Sequence, residues 1–112
     1  AVRNAVVEEH TFGAAIVPLD VAGKCLKVMQ LAAEVIEFGN LNAISDGGSA
    51  AFLAKAAFTA AGMNVRINLL NVADKDRARL ILNDLEALEC QVTQVENGIR
   101  STLESRGGVK PF

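Results

Sequence analysis

The stretch AISDGGSAAFLAKAAFTAAGMNVRINLL, residues 43 to 70, decides the fold. Its only formal charges are Asp46, Lys55 and Arg66. Gly47, Ala50, Ala54, Ala57, Ala61, Asn64 and Asn68 recur at alternating intervals of three and four. Every side chain on that stripe is small or a primary amide, so a neighbouring helix backbone can come close. Phe52, Phe58, Val65 and Leu69 supply the bulk on the opposite surface. A helix that is apolar nearly all round is a central one. Gly62 is disfavoured by about 1 kcal/mol against Ala in a helix interior, so close packing is expected to explain it. Gly47-Gly48 reads the same way, because two glycines after Asp46 are a weak sign of an anion-binding helix start.

Three further helices are predicted around this one. The first runs from about Val2 to Ala15, and Pro18, lacking a backbone N–H, either starts a new helix or kinks a continuing one. The second spans Leu19 to Phe38 and carries two adjacent seams. One is Val21, Cys25, Val28, Ala32 and Val35; the other is Ala22, Leu26, Met29, Ala33 and Ile36. Gly39-Asn40 is a strong stop, expected to use the left-handed conformation open to glycine. The last helix spans about Asp74 to Ser105, with Asp74 as N-cap. Ile81, Leu85, Leu88, Val92, Val95 and Ile99 form its single narrow seam. Gly107, Gly108 and Pro111 end it in a loose tail over 106–112. Residues 1–112 therefore read as one all-α domain, an antiparallel helical bundle of long helices.

Length adds a constraint. The last helix is roughly 48 Å long at 1.5 Å per residue, whereas a compact chain of 112 residues has a radius of gyration near about 13 Å. The helix is therefore broken, at Gly98 for instance, or packs on another chain. Self-association, most simply as a homodimer, is the favoured expectation, since the central helix has more apolar surface than its neighbours can cover.

The chain is 51% hydrophobic with a net charge of −2, which excludes bulk disorder and gives no basic face for nucleic acid. No uncharged stretch exceeds Ala56–Val65, about half of a bilayer crossing, and no basic amphipathic face suggests a membrane surface. No leader is recognisable, so a cytoplasmic location is expected. His10, beside Glu8 and Glu9, matches no zinc spacing, and no metal is expected. Cys25 and Cys90 read as core or semi-buried free thiols.

What remains is a set of polar groups in an apolar helix: Asn42, Ser45 and Asp46 at one end, Asn64, Arg66 and Asn68 at the other. Leaving such groups buried and unpaired costs about 1–3 kcal/mol each. Asp46 and Arg66 lie about 30 Å apart along a straight helix, so they meet only across an antiparallel dimer. There they form a structural ion pair or line a substrate pocket.

The segments Val17-Pro18-Leu19, Gly39-Asn40-Leu41-Asn42-Ala43-Ile44-Ser45-Asp46 and Asn64-Val65-Arg66-Ile67-Asn68-Leu69 resemble spaced motifs of the formiminotetrahydrofolate cyclodeaminase and methenyltetrahydrofolate cyclohydrolase family. The resemblance covers roughly residues 5 to 105. It implies a helical dimer that binds a tetrahydrofolate derivative in a cleft between helices. The implied reaction is closure of 5-formiminotetrahydrofolate to 5,10-methenyltetrahydrofolate with loss of ammonia, or interconversion of the methenyl and formyl forms with water. On the matched positions it implies Asp46 as a polar orienter or proton relay and the only, weak, catalytic candidate. Arg66 is implied as a carboxylate clamp, Asn42, Asn64 and Asn68 as amide contacts, and Ser45 as a further contact. The similar portion is the C-terminal part of that family's domain. The family's Pro-Gly-Gly-Gly-Ser stretch and the helix with its proposed catalytic aspartate have no counterpart in this sequence. Whether the chain is an enzyme thus stays open; the alternative is a non-catalytic helical module that keeps only the self-association surface.

Overall fold

The computed structural model describes residues 2–112. Three long helices account for nearly all of them: α1, Val2–Phe38; α2, Ile44–Leu69; and α3, Lys75–Gly107, with a short 3-10 turn, Leu41–Ala43, before α2. The described residues contain no strand.

The two helices predicted before residue 38 are one, and Pro18 lies inside it. Proline at this position removes the donor that would have bonded the Ala14 carbonyl four residues earlier, a loss worth about 3 kcal/mol or more in a free helix. Packing on both sides offsets it, because Phe12, Ala15 and Ala22 are all buried against the other helices. The Asn68 Nδ2 group of α2 also reaches toward the freed Ala14 carbonyl, at 3.5 Å.

The stop at Gly39 works differently from the left-handed cap expected there. Gly108 is the only described glycine with positive φ. Gly39 instead donates to the Val35 carbonyl at 2.8 Å, and a Cβ on it would lie 2.5 Å from that oxygen. Asn40 Oδ1 then accepts from the Asn42 amide and caps the 3-10 turn. Helix α3 satisfies two carbonyls at this stop, since Arg106 donates to Ile36 at 2.8 Å and to Gly39 at 2.6 Å. Asp74 caps α3 by accepting from the Arg77 amide. At its other end Gly108, with φ 64°, closes the helix onto the Glu104 and Leu103 carbonyls.

The Ile81, Leu85, Val92 and Ile99 seam of α3 is buried as its spacing requires, with Leu88 and Val95 half-buried. Of the two seams on α1, the Ala22, Leu26, Met29 and Ile36 one enters the core most fully; from the other Ala32 is buried and Cys25 half-buried, while Val21, Val28 and Val35 remain 43%, 46% and 48% exposed. The interior falls into two clusters. The larger is built around Phe12, Met29, Phe58, Val65 and Leu85, the smaller around Ile36, Ile44, Ile99 and Leu103, and Val95 leans on both.

These helices lie side by side over most of their length, giving a rod of 60 × 20 × 17 Å with a radius of gyration of 17.4 Å. That resolves the length problem of the last helix. Helix α3 is unbroken through Gly98, and the whole chain is elongated with it.

Gly47 and Gly48 do mark close packing: added Cβ atoms would stand 2.9 Å from Ile36 Cγ1 and 3.3 Å from Leu103. Gly62 does not, because its nearest contact would be an ordinary 3.7 Å to Leu85. Gly62→Ala is therefore expected to stabilise the protein by about 0.5–1 kcal/mol through helix propensity. Gly47→Ala should lower stability instead. Urea midpoints of the two variants check both signs.

Candidate functional site

A groove of about 620 Å³ runs between α1 and α2. Val17, Pro18 and Val21 form one wall, and Asn64 and Asn68 stand on the other above Ala57, Ala60 and Ala61. The opening exists because α2 presents alanines there, whose methyl groups cannot fill the space between the helices. Two of the three spaced sequence segments, Val17-Pro18-Leu19 and Asn64–Leu69, thus converge on it. Asn68 is half-buried, and its Nδ2 donates to the Asn64 carbonyl at 2.8 Å, which holds the amide at the groove's edge.

The third segment lies elsewhere. Asn42, Ser45 and Asp46 are exposed at the opposite end of α2. Asp46 is 18 residues, about 27 Å, from Asn64. Ser45 borders a separate apolar depression with Ser49, Phe52, Leu53, Val109 and Pro111. Within one chain the predicted site residues therefore form two groups. Asp46, Ala50, Ala57 and Asn64 follow at intervals of four, seven and seven and are all exposed, so they share one open side of α2.

Arg66 points away from the groove. Both its terminal nitrogens donate to the Glu89 carboxylate of α3, at 2.8 and 2.7 Å, an in-chain partner that the sequence spacing did not reveal. This hydrogen bond holds the Glu89 carboxyl below its ordinary value of 4.5, against the opposing effect of partial burial. A depressed carboxylate pKa stabilises the fold above the unfolded-state pKa, and that contribution disappears as pH falls through the folded one. Because the pair is partly exposed, it is worth no more than about 1 kcal/mol. The difference in melting temperature between wild type and Arg66→Ala is expected to be small at pH 7 and to close below pH 4.5.

The start of α1 holds residues whose role the sequence did not reveal. Glu8, two residues before the exposed His10, accepts from the Ala73 amide at 2.5 Å and the Asp74 amide at 3.3 Å, fastening the α2–α3 turn to α1. Arg77 pairs with Glu9 at 2.7 Å and lies 4.1 Å over the Phe12 ring. Asn4, Glu8 and Thr11, spaced four and three, line a second cavity with Asn68 and Asn71. That spacing was the available signal. Cys25 is half-buried and Cys90 exposed, and both are free. Among the described residues no group of three His, Cys, Asp or Glu is placed to hold a metal ion, and no helix is long and apolar enough to cross a membrane.

Residues 1–87 match the family model described as formiminotransferase-cyclodeaminase. A methenyltetrahydrofolate cyclohydrolase of Methylorubrum extorquens is 36% identical over 106 residues, covering 95% of this chain and 51% of that protein. The chain thus spans about half the length of this curated relative. No solved structure matches it at comparable significance.

Proposed function

Because the chain belongs to the formiminotransferase-cyclodeaminase family, we propose that it acts on a one-carbon tetrahydrofolate and forms part of a cyclohydrolase- or cyclodeaminase-type site. In the first reaction water adds to the methenyl carbon and a ring C–N bond opens to leave a formyl group. In the second, N10 attacks the formimino carbon and ammonia leaves, which requires a proton donor for the departing nitrogen.

The observation that carries this reading is the convergence of Val17-Pro18 and Asn64/Asn68 on one groove with an alanine floor. A flat ligand fits between such walls, and the two amides offer hydrogen bonds at its rim. Asp46, Asn42 and Ser45 lie too far away to serve that groove in the same chain. A second copy, packed antiparallel on the open side of α2, would bring its Asp46 toward Asn64 and Asn68. The exposed Val21, Val28 and Val35 beside that face support such a homodimer, and the small side chains of Ala50 and Ala57 allow close approach. Asp46 is then the residue to relay a proton. Arg66 can clamp a ligand carboxylate only by giving up Glu89, so we assign it first to the ion pair.

Calorimetric titration with 5-formyltetrahydrofolate tests the proposal. Saturable binding is expected, with sedimentation equilibrium reporting a dimer. No saturable binding at millimolar ligand removes the enzyme reading and leaves the self-association surface as the function of this face.

A further inference from the structure

The groove does not end at Asn68. That residue also lines the second cavity, of about 420 Å³, together with Asn4, Glu8, Thr11 and Asn71. None of the residues lining this cavity is a cation. Glu8 is its one charged side chain, and the amides of Asn4 and Asn71 can both donate and accept. A carboxylate offers about four acceptor positions, and the Ala73 and Asp74 amides occupy two of those on Glu8. The Thr11 hydroxyl donates to the Val7 carbonyl at 3.0 Å, which leaves its oxygen free to accept. Asn68 directs its Nδ2 to Asn64, which leaves Oδ1. With one carboxylate and no cation, such a cavity repels anions and admits a neutral or cationic edge that presents N–H groups to Glu8.

Resting on the folate reading above, we propose that this cavity is the subsite for the donor-bearing heterocyclic edge of the ligand, with Glu8 as the accepting group. A 2-amino-4-oxopteridine presents a ring N–H and an adjacent exocyclic amine, two parallel donors of the kind that a carboxylate accepts. The remainder of the ligand lies in the apolar groove, and its own carboxylates extend away from Glu8.

The chain is titrated with 5-formyltetrahydrofolate and with its 2-desamino-2-methyl analogue. On wild type the analogue is expected to bind at least about 10-fold more weakly, the loss of one charge-assisted hydrogen bond. In Glu8→Gln the gap should shrink to within about 2-fold. Since Glu8→Gln also disturbs the α2–α3 turn, Thr11→Val gives an independent reading. It should weaken the parent ligand several-fold with an unchanged melting temperature. If the parent binds and the analogue binds equally well, or if the gap is the same in Glu8→Gln, the subsite is wrong while the folate reading stands. If neither ligand saturates wild type, both fall together.

Discussion

Ala57→Trp is expected to abolish ligand binding in the α1–α2 groove while leaving the fold intact. Ala57 is exposed, so an indole there meets no buried neighbour, and tryptophan lowers helix propensity by well under about 1 kcal/mol. Ala57 nevertheless belongs to the groove floor, level with Val17, Pro18 and Val21. An indole rising from that floor occupies the space a flat ligand needs. Affinity for 5-formyltetrahydrofolate should drop by at least about 100-fold, which is about 2.7 kcal/mol, with no change in melting temperature beyond a few degrees. The same variant should weaken self-association, because Ala57 sits on the open side of α2 where close helix approach is proposed. Calorimetry and sedimentation equilibrium on one preparation separate the two effects. Wild-type affinity in Ala57→Trp would place the ligand outside this groove.

Leu85→Ala should cost about 3–4 kcal/mol of stability. Leu85 is fully buried at the middle of the α3 seam, and it faces Gly62 across the interface. Removing it deletes apolar surface and leaves a cavity whose opposite wall is a glycine, so no side chain there can swing in to fill the space. Substitutions of this kind cost roughly 2–5 kcal/mol. A chain this small has a total stability of only about 5–15 kcal/mol, so the variant should lose a large fraction of it. Leu80, exposed on the same helix, provides the control: Leu80→Ala should shift stability by less than about 0.5 kcal/mol. Urea midpoints at constant slope test the contrast.

These two positions also show what the sequence could reveal. The burial of Leu85 was legible because α3 repeats its apolar residues at strict intervals of four and three among charges, and only one face satisfies that pattern. The helical class and the density of small side chains along α2 were legible for the same reason. The continuity of α1 through Pro18 was not, since local chemistry argues for a break and only the packing of Phe12, Ala15 and Ala22 on the other helices overrides it. The in-chain partner of Arg66 was not legible, because Glu89 lies 23 residues away on another helix, and periodicity within one helix says nothing about register between two. On α1, the Val21 and Ala22 seams are equally apolar on paper. Which of their residues face the core depends on where α2 and α3 sit. Of the candidate groove, Asn64 and Asn68 were legible as amides misplaced in an apolar helix, but their meeting with Val17 and Pro18 required the packing of α1 on α2.

The division of the interior into two apolar clusters carries a last consequence for how the molecule breathes. A slender rod with a divided interior can fray at one end while the other holds. The Asn40–Asp46 segment rests through Ile44 on the smaller cluster, whereas the alanine-floored groove is backed by the larger one. Amide protons near Ile44 and Ile99 should therefore exchange through cheaper openings than those near Met29 and Leu85. The end that carries Asp46 is then expected to open at lower cost than the part of the rod that backs the groove.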